Sequence, residues 1–203
     1  MDPLTMRSIA ERAQVSVPTI YNLIGGRSQV LSALMDAGGD RLDSLLAGSG
    51  GGDPTDRMVD ACEALAAVVE PNAAVVTAVL AEGVAAPGGG DGLFARYASV
   101  TRAALADARS SGLLESSADP DLLTERCVAL AAGAVISWAT GHRNEARLRD
   151  ELVHGAMVVL AAQADGDAQT RAHHELDRRT RRLIRHRSAA SRRGVPRSSK
   201  AAR

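Results

Sequence analysis

Residues 5–27 constrain this chain most. They read Thr-Met-Arg-Ser-Ile-Ala-Glu-Arg-Ala-Gln-Val-Ser-Val-Pro-Thr-Ile-Tyr-Asn-Leu-Ile-Gly-Gly-Arg, two short helical patterns meeting at a tight polar joint. Met6, Ile9, Ala10 and Ala13 recur at spacings that place them on one helix face. Thr5 stands just before the first turn, where a hydroxyl accepts from a free backbone N–H. The pattern breaks at Gln14, Val15 and Ser16, and Ser16 reads as the cap of a second helix. Pro18 is tolerated there because first-turn N–H groups have no helical partner. Val15 and Ile20 are expected to point back at the first helix, leaving Val17, Pro18, Thr19, Tyr21 and Asn22 to face outward. This is the layout of a helix-turn-helix, whose second helix enters a DNA major groove. An outward Thr-x-Tyr-Asn cluster suits phosphates and base edges better than it suits water.

The same residues resemble the TetR family of one-component bacterial transcriptional regulators. The resemblance lies in Thr5, Ile9, Ala10, Ala13, Val15, Ser16, the run Thr19-Ile20-Tyr21-Asn22-Leu23-Ile24-Gly25-Gly26-Arg27, and Val30-Leu31. It implies that Ser16, Thr19, Tyr21 and Arg27 lie on DNA, with Tyr21 and Arg27 mostly on phosphates. Val17, Pro18, Thr19 and Asn22 are then the base-reading candidates, and Thr5 completes the expected DNA-contacting set. Three departures accompany the match. Only Met1–Leu4 precede the Thr5 position, where the family has a first helix, so the head is expected to be truncated. Gln14 stands where the family's turn has glycine, so a non-glycine residue is expected at positive φ. Gly26-Arg27 replaces a Ser-Lys pair, keeping a cation but weakening the helix cap.

Beyond the head the chain reads as all-α. The apolar residues are Ala, Leu and Val with few aromatics, and no alternating Val/Ile/Thr run marks a strand. Helices are expected at about 27–47, 54–69, 72–86, 91–112, 120–142 and 145–164, separated by Gly-rich stretches at 48–54 and 87–92. Asp53-Pro54 and Asp119-Pro120 have the form of helix starts. The expected organisation is a head over 1–35, a larger helical ligand-binding and dimerisation domain over 36–165, and a basic, disordered tail over 166–203. From 171 onward there are twelve basic residues against Glu175 and Asp177. Within that tail, 171–187 keeps some helical pattern. A sequence-independent DNA tether and a solvated tail without a role are both open readings of it.

The late helices carry two apolar stripes. One is Leu122, Leu123, Cys127, Leu130, Ala131, Ala134, Val135 and Trp138; the other is Leu148, Leu152, Val153, Ala156, Met157, Leu160 and Ala161. The resemblance assigns helices 120–142 and 145–164 to a homodimer interface, since one helix-turn-helix reaches one half-site only; a monomer core is the competing assignment. Any effector pocket is expected among Cys62, Leu65, Val68, Val75, Val79, Leu80, Phe94 and Tyr97, with Glu63, Glu82 or Arg96 as polar anchors. The effector's identity stays unknown.

Enzymatic chemistry has no constellation to support it. His142, His154, His173, His174 and His186 have no metal-ligand spacing, no Cys-x-x-Cys occurs, and 87–92 lacks the ending of a phosphate loop. No metal or cofactor is expected. Cys62 and Cys127 read as buried, reduced thiols. The most apolar run, 127–140, is too short to span ~30 Å of hydrocarbon, so no membrane span is expected. The start of the chain has no apolar signal core, which points to the cytoplasm. The resulting expectation is a homodimeric repressor that holds a double-stranded operator and is released by a small-molecule effector. The rival is a helical ligand-binding or scaffolding protein with a degenerate, non-DNA-binding head.

Overall fold

A computed structural model describes residues 4–48, 52–82, 92–141 and 145–193, without the side chains of 82, 145–146 and 187–193. The described chain is helical: α1 (Met6–Ala13), α2 (Val17–Leu23), α3 (Arg27–Leu46), α4 (Pro54–Val69), α5 (Ala73–Glu82), α6 (Leu93–Ser110), α7 (Pro120–Ala139), α8 (Glu145–Ala161) and α9 (Gly166–Arg193). A single 3-10 turn, Glu70–Asn72, joins α4 to α5. The Asp-Pro pairs start helices as their chemistry dictates. Asp53 accepts from the Thr55 N–H at 2.8 Å and Asp119 from the Asp121 N–H at 2.9 Å, while Pro54 and Pro120 occupy first-turn positions that need no donor.

The core forms around α4 and α8. Leu65, Cys62 and Met58 from α4 meet Tyr97 and Leu105 from α6 and Leu148, Leu152 and Met157 from α8, all buried. Cys62 Sγ lies 3.4 Å from the Tyr97 hydroxyl and donates to the Leu152 carbonyl at 3.6 Å. Cys62 and Cys127 are both free and buried. Burial pushes each thiol up to about 12, so neither is a nucleophile at neutral pH. Two loops are clamped together at one end: the Glu115 N–H donates to Gln163 O at 2.8 Å and the Asp165 N–H to Leu113 O at 3.0 Å.

Three expectations need correction. The first concerns the stretch from 166, expected as disordered tail: over 166–193 it forms α9, packed on α8. Arg179 is the reason. Its side chain is 1% exposed, and it donates to Glu175 Oε1 at 2.6 Å, Asp150 Oδ1 at 2.9 Å and Glu63 Oε1 at 2.7 Å. One guanidinium thus ties α9 to α8 and α4, with Ala168 and Ala172 buried alongside. Burial alone would lower the Arg179 pKa; hydrogen bonds to Glu63, Glu175 and Asp150 outweigh it and raise it. Burial would raise the Glu175 carboxyl, but hydrogen bonds from Arg178 and Arg179 hold it below its ordinary value.

Second, the apolar stripes assigned to a dimer interface lie mostly inside the single chain. Leu123, Cys127, Ala131, Ala134, Val135 and Trp138 are buried, as are Leu148, Leu152, Val153, Ala156, Met157, Leu160 and Ala161. Helical periodicity finds an apolar face without saying what covers it, and here α4, α6 and the two helices themselves cover most of both. The third correction concerns hydropathy. Pro54–Ala81 and Pro120–Ala139 are long and apolar enough to cross a membrane by length and composition. In the fold the first is interrupted at Pro71 by the 3-10 turn, and both supply core residues.

Replacing Arg179 with Met should remove about 3–5 kcal/mol of stability, because clustered carboxylates would lose their cation; urea denaturation measures it. The pH dependence has a definite sign. Glu175 is held below its unfolded value of 4.5, so its contribution is present above that pH and lost as pH falls through the folded value. Thermal midpoints recorded toward acid pH should therefore fall more steeply for the wild type than for Arg179→Met.

Candidate nucleic-acid interface

The N-terminal head is built by caps. Thr5 Oγ1 accepts from the Ser8 N–H at 3.1 Å while Ser8 Oγ accepts from the Thr5 N–H at 2.9 Å, a reciprocal cap on α1. Gln14 ends α1 at φ 55, ψ 39, the left-handed conformation expected of it, and its N–H reaches back to Ala10 and Glu11 carbonyls. Ser16 then caps α2 by accepting from the Thr19 N–H at 3.2 Å. The two hydroxyls of Ser16 and Thr19 are 2.7 Å apart and share a hydrogen bond. Both are therefore pre-oriented by the cap at the point where α2 begins.

Ala10, Ile20 and Val30 form a small head core, with Met6, Ile9, Val17 and Leu34 packed against it. A second cluster of Leu4, Leu31, Ala78 and Val79 seats the head on α5. Leu4 is buried there, and its carbonyl accepts from the Arg27 guanidinium.

This geometry sorts the sequence-derived site residues. Pro18, Tyr21 and Asn22 lie exposed on the outer side of α2, with Tyr21 at 53%. Thr19 is half-buried beside them, and Ser16 is exposed. Thr5 is engaged in its cap and Arg27 partly with Leu4. Two placements differ from expectation. Val17 packs inward, because it sits three residues before Ile20 and shares its face. Val15 precedes the cap rather than belonging to α2, and it is 41% exposed instead of covering α1. Sequence reasoning misses one residue: Leu23, 78% exposed, is an apolar side chain four positions after Thr19 on the same outer face. That spacing is the signal that could have found it.

A cavity of about 180 Å³ lies behind the head. Leu34, Met35, Gly38 and Arg41 of α3 form one wall, and Val68, Val69, Val75, Val76 and Leu93 the others. Of the residues expected to line a pocket, only Val68 and Val75 do so. Cys62, Leu65 and Tyr97 are core, Leu80 is 39% exposed, and the Glu82 side chain lies outside the described residues. The anchors Glu63 and Arg96 are engaged elsewhere, Glu63 with Arg179 and Arg96 with Asp43. Arg41 is not among the expected anchors. It is exposed at the cavity's edge and has no ion-pair partner among the described residues. Among the described residues no cluster of His, Cys, Asp and Glu could hold a metal.

No protein-family model matches the chain, and no curated protein sequence matches it. Solved structures do match its fold. A Rhodococcus sp. TetR-family transcriptional regulator superposes with a TM-score of 0.60 at 24% identity, over 77% of this chain and 87% of that one. The R. erythropolis transcriptional repressor QsdR, from the TetR family, gives 0.51 at 19%, over 81% and 88%. The fold is thus the all-helical fold of TetR-family regulators.

Proposed function

We propose that the chain is a TetR-family transcriptional regulator, a cytoplasmic homodimer that represses by holding an operator and leaves it when a small molecule binds. The observation that carries this reading is the outer face of α2. A capped helix start presents Ser16, Pro18, Thr19, Tyr21 and Asn22 together, on a fold whose solved neighbours include TetR-family regulators. Thr19 and Asn22 are suited to base edges, Pro18 and Leu23 to thymine methyls, and Tyr21 to a phosphate.

Two further features support the finer parts. Leu122, Leu130 and Ile136 of α7 and Val158 of α8 are exposed, with Gly133 open beside them. This leaves apolar residues uncovered on the same two helices expected to dimerise, Leu122 and Leu130 being the members of the α7 stripe that the chain does not bury. Two heads about 34–36 Å apart would meet successive major-groove half-sites. The cavity offers the release mechanism. Leu34 packs against the head clusters and also lines the cavity, so a ligand that displaces α3 displaces the head. Its apolar walls and unpaired Arg41 favour a short aliphatic carboxylate, somewhat larger than the benzene that a cavity of roughly this size accepts.

Binding-site selection and salt titrations test the head. Thr19→Ala should change preference at one half-site position by about 1–3 kcal/mol, whereas Tyr21→Phe should weaken all sequences about equally. A wild-type chain that binds no duplex would leave the helical ligand-binding reading instead.

Val158→Arg tests the dimer face. The expected product is a folded monomer, with helical circular dichroism retained, half the wild-type mass in solution and operator binding abolished. Unchanged mass and unchanged binding would remove that face from consideration.

For the cavity, calorimetry with hexanoate and hexanol should show the wild type preferring the acid, and Arg41→Gln should abolish the preference. Equal binding of both by the wild type would sink the carboxylate reading.

A further inference from the structure

The structure assigns a second, sequence-independent phosphate-binding surface to the basic end of α9. The direction of α9 comes from its ion pairs. Arg171 lies 2.7 Å from Asp53, at the start of α4, and Arg179 lies 2.7 Å from Glu63, ten residues further along α4. The two helices therefore run in the same sense.

The end toward which they run is the head's end. Arg149, near the start of α8, lies 3.8 Å from Glu70 in the turn that follows α4. That turn leads into α5, and α5 supplies Ala78 and Val79 to the cluster with Leu4 and Leu31. From Glu63, α4 runs only to Val69, a rise of about 9 Å. From Arg179, α9 runs to Arg193, about 21 Å. So α9 overshoots α4 by roughly 12 Å on the side that carries the head.

The charge on the C-terminal half of α9 is one-signed: residues 178–193 contain eight Arg and no Asp or Glu. The staple uses part of this charge: Arg178 pairs with Glu175, Arg179 with Glu63, Asp150 and Glu175, and Arg182 with Asp150 at 3.5 Å. His186 also faces Asp150, at 3.4 Å. Arg181 and Arg185 are exposed, with no carboxylate partner among the described residues. They stand four apart, where like charges on a helix repel. Arg187, Arg192 and Arg193 follow on the same helix. Docking α9 uses the first group; Arg181 and Arg185 are cation beyond what the docked carboxylates neutralise, on the stretch of α9 that leads into the overshoot. A polyanion lying across the head's side of the molecule neutralises it, and the duplex held by α2 is that polyanion. The inference rests on the DNA-binding reading of the head.

The test compares the full chain with a variant in which Arg181, Arg185, Arg187, Arg192 and Arg193 are all Gln. Arg178, Arg179 and Arg182 are kept, so helical content and thermal midpoint should match the wild type; Arg181→Gln/Arg185→Gln is the smaller variant if they do not. Affinity is measured for the operator and for an unrelated duplex across a range of salt. Both affinities should fall by the same factor, with base preference unchanged. The log–log salt slope should shrink by about 0.9 for each phosphate no longer neutralised. An unchanged slope on both duplexes would overturn the proposal. So would an unchanged slope combined with abolished binding to phosphatidylserine vesicles, which would reassign the surface to membranes. The head is judged separately: binding that responds to the arginine variant but not to Thr19→Ala or Tyr21→Phe supports the arm while removing the head reading.

Discussion

The Arg179 guanidinium decides how the whole second half of the chain is arranged. It is buried, and it meets carboxylates from three helices: Glu63 on α4, Asp150 on α8 and Glu175 on α9. A buried cation with one partner would be destabilising, but three short hydrogen bonds, one from each guanidinium nitrogen, hold it charged. The consequence is that α9, whose composition would otherwise leave it in solvent, has one docking register. Sliding it by a turn would bury a charge without partners. With α9 fixed, it covers one side of α8, and the exposed Leu122, Leu130, Ile136 and Val158 remain on the α7–α8 pair.

The head depends on a different balance of forces. Its core is three fully buried side chains, Ala10, Ile20 and Val30, too few to hold two short helices alone. Caps and turn geometry make up part of the difference: the reciprocal Thr5–Ser8 cap, the left-handed Gln14 and the Ser16–Thr19 pair. Leu4 and Leu31 on α5 supply the rest. The same caps that hold the head together orient the hydroxyls at the start of α2, so stability and presentation are one arrangement.

Local chemistry is legible in the sequence, and coverage is not. The caps at Thr5, Ser16, Asp53 and Asp119, and the left-handed Gln14, follow from side chains acting on their own backbone, and all of them stand in the structure. Helix positions follow from periodicity within a few residues. Tyr21 and Asn22 are expected outward and are exposed. Errors arise where a residue's role depends on a distant partner. Arg179 sits in a run of arginines, and nothing nearby distinguishes the one that meets Glu63, 116 residues earlier. The stripes on α7 and α8 are real, but whether each faces its own chain or another copy is a tertiary fact. Val17 differs for a smaller reason: its register relative to Ile20 puts it on the buried face, whatever its place beside an outward-facing cluster suggests.

The helix α3 begins at Arg27 in the head and ends at Leu46, against the main core. A boundary at residue 35 falls inside it, at Leu34 and Met35, which pack on the head and line the cavity at once. No linker intervenes at which the chain could be cut and rejoined. A head taken from another protein would have to bring its own match to Leu31, Ala78 and Val79, and its own phase of helix into Gly38 and Leu42. The head in such an architecture is not a portable cassette. What can change without disturbing the packing is the outer face of α2, where Pro18, Tyr21, Asn22 and Leu23 are exposed and free to vary one at a time.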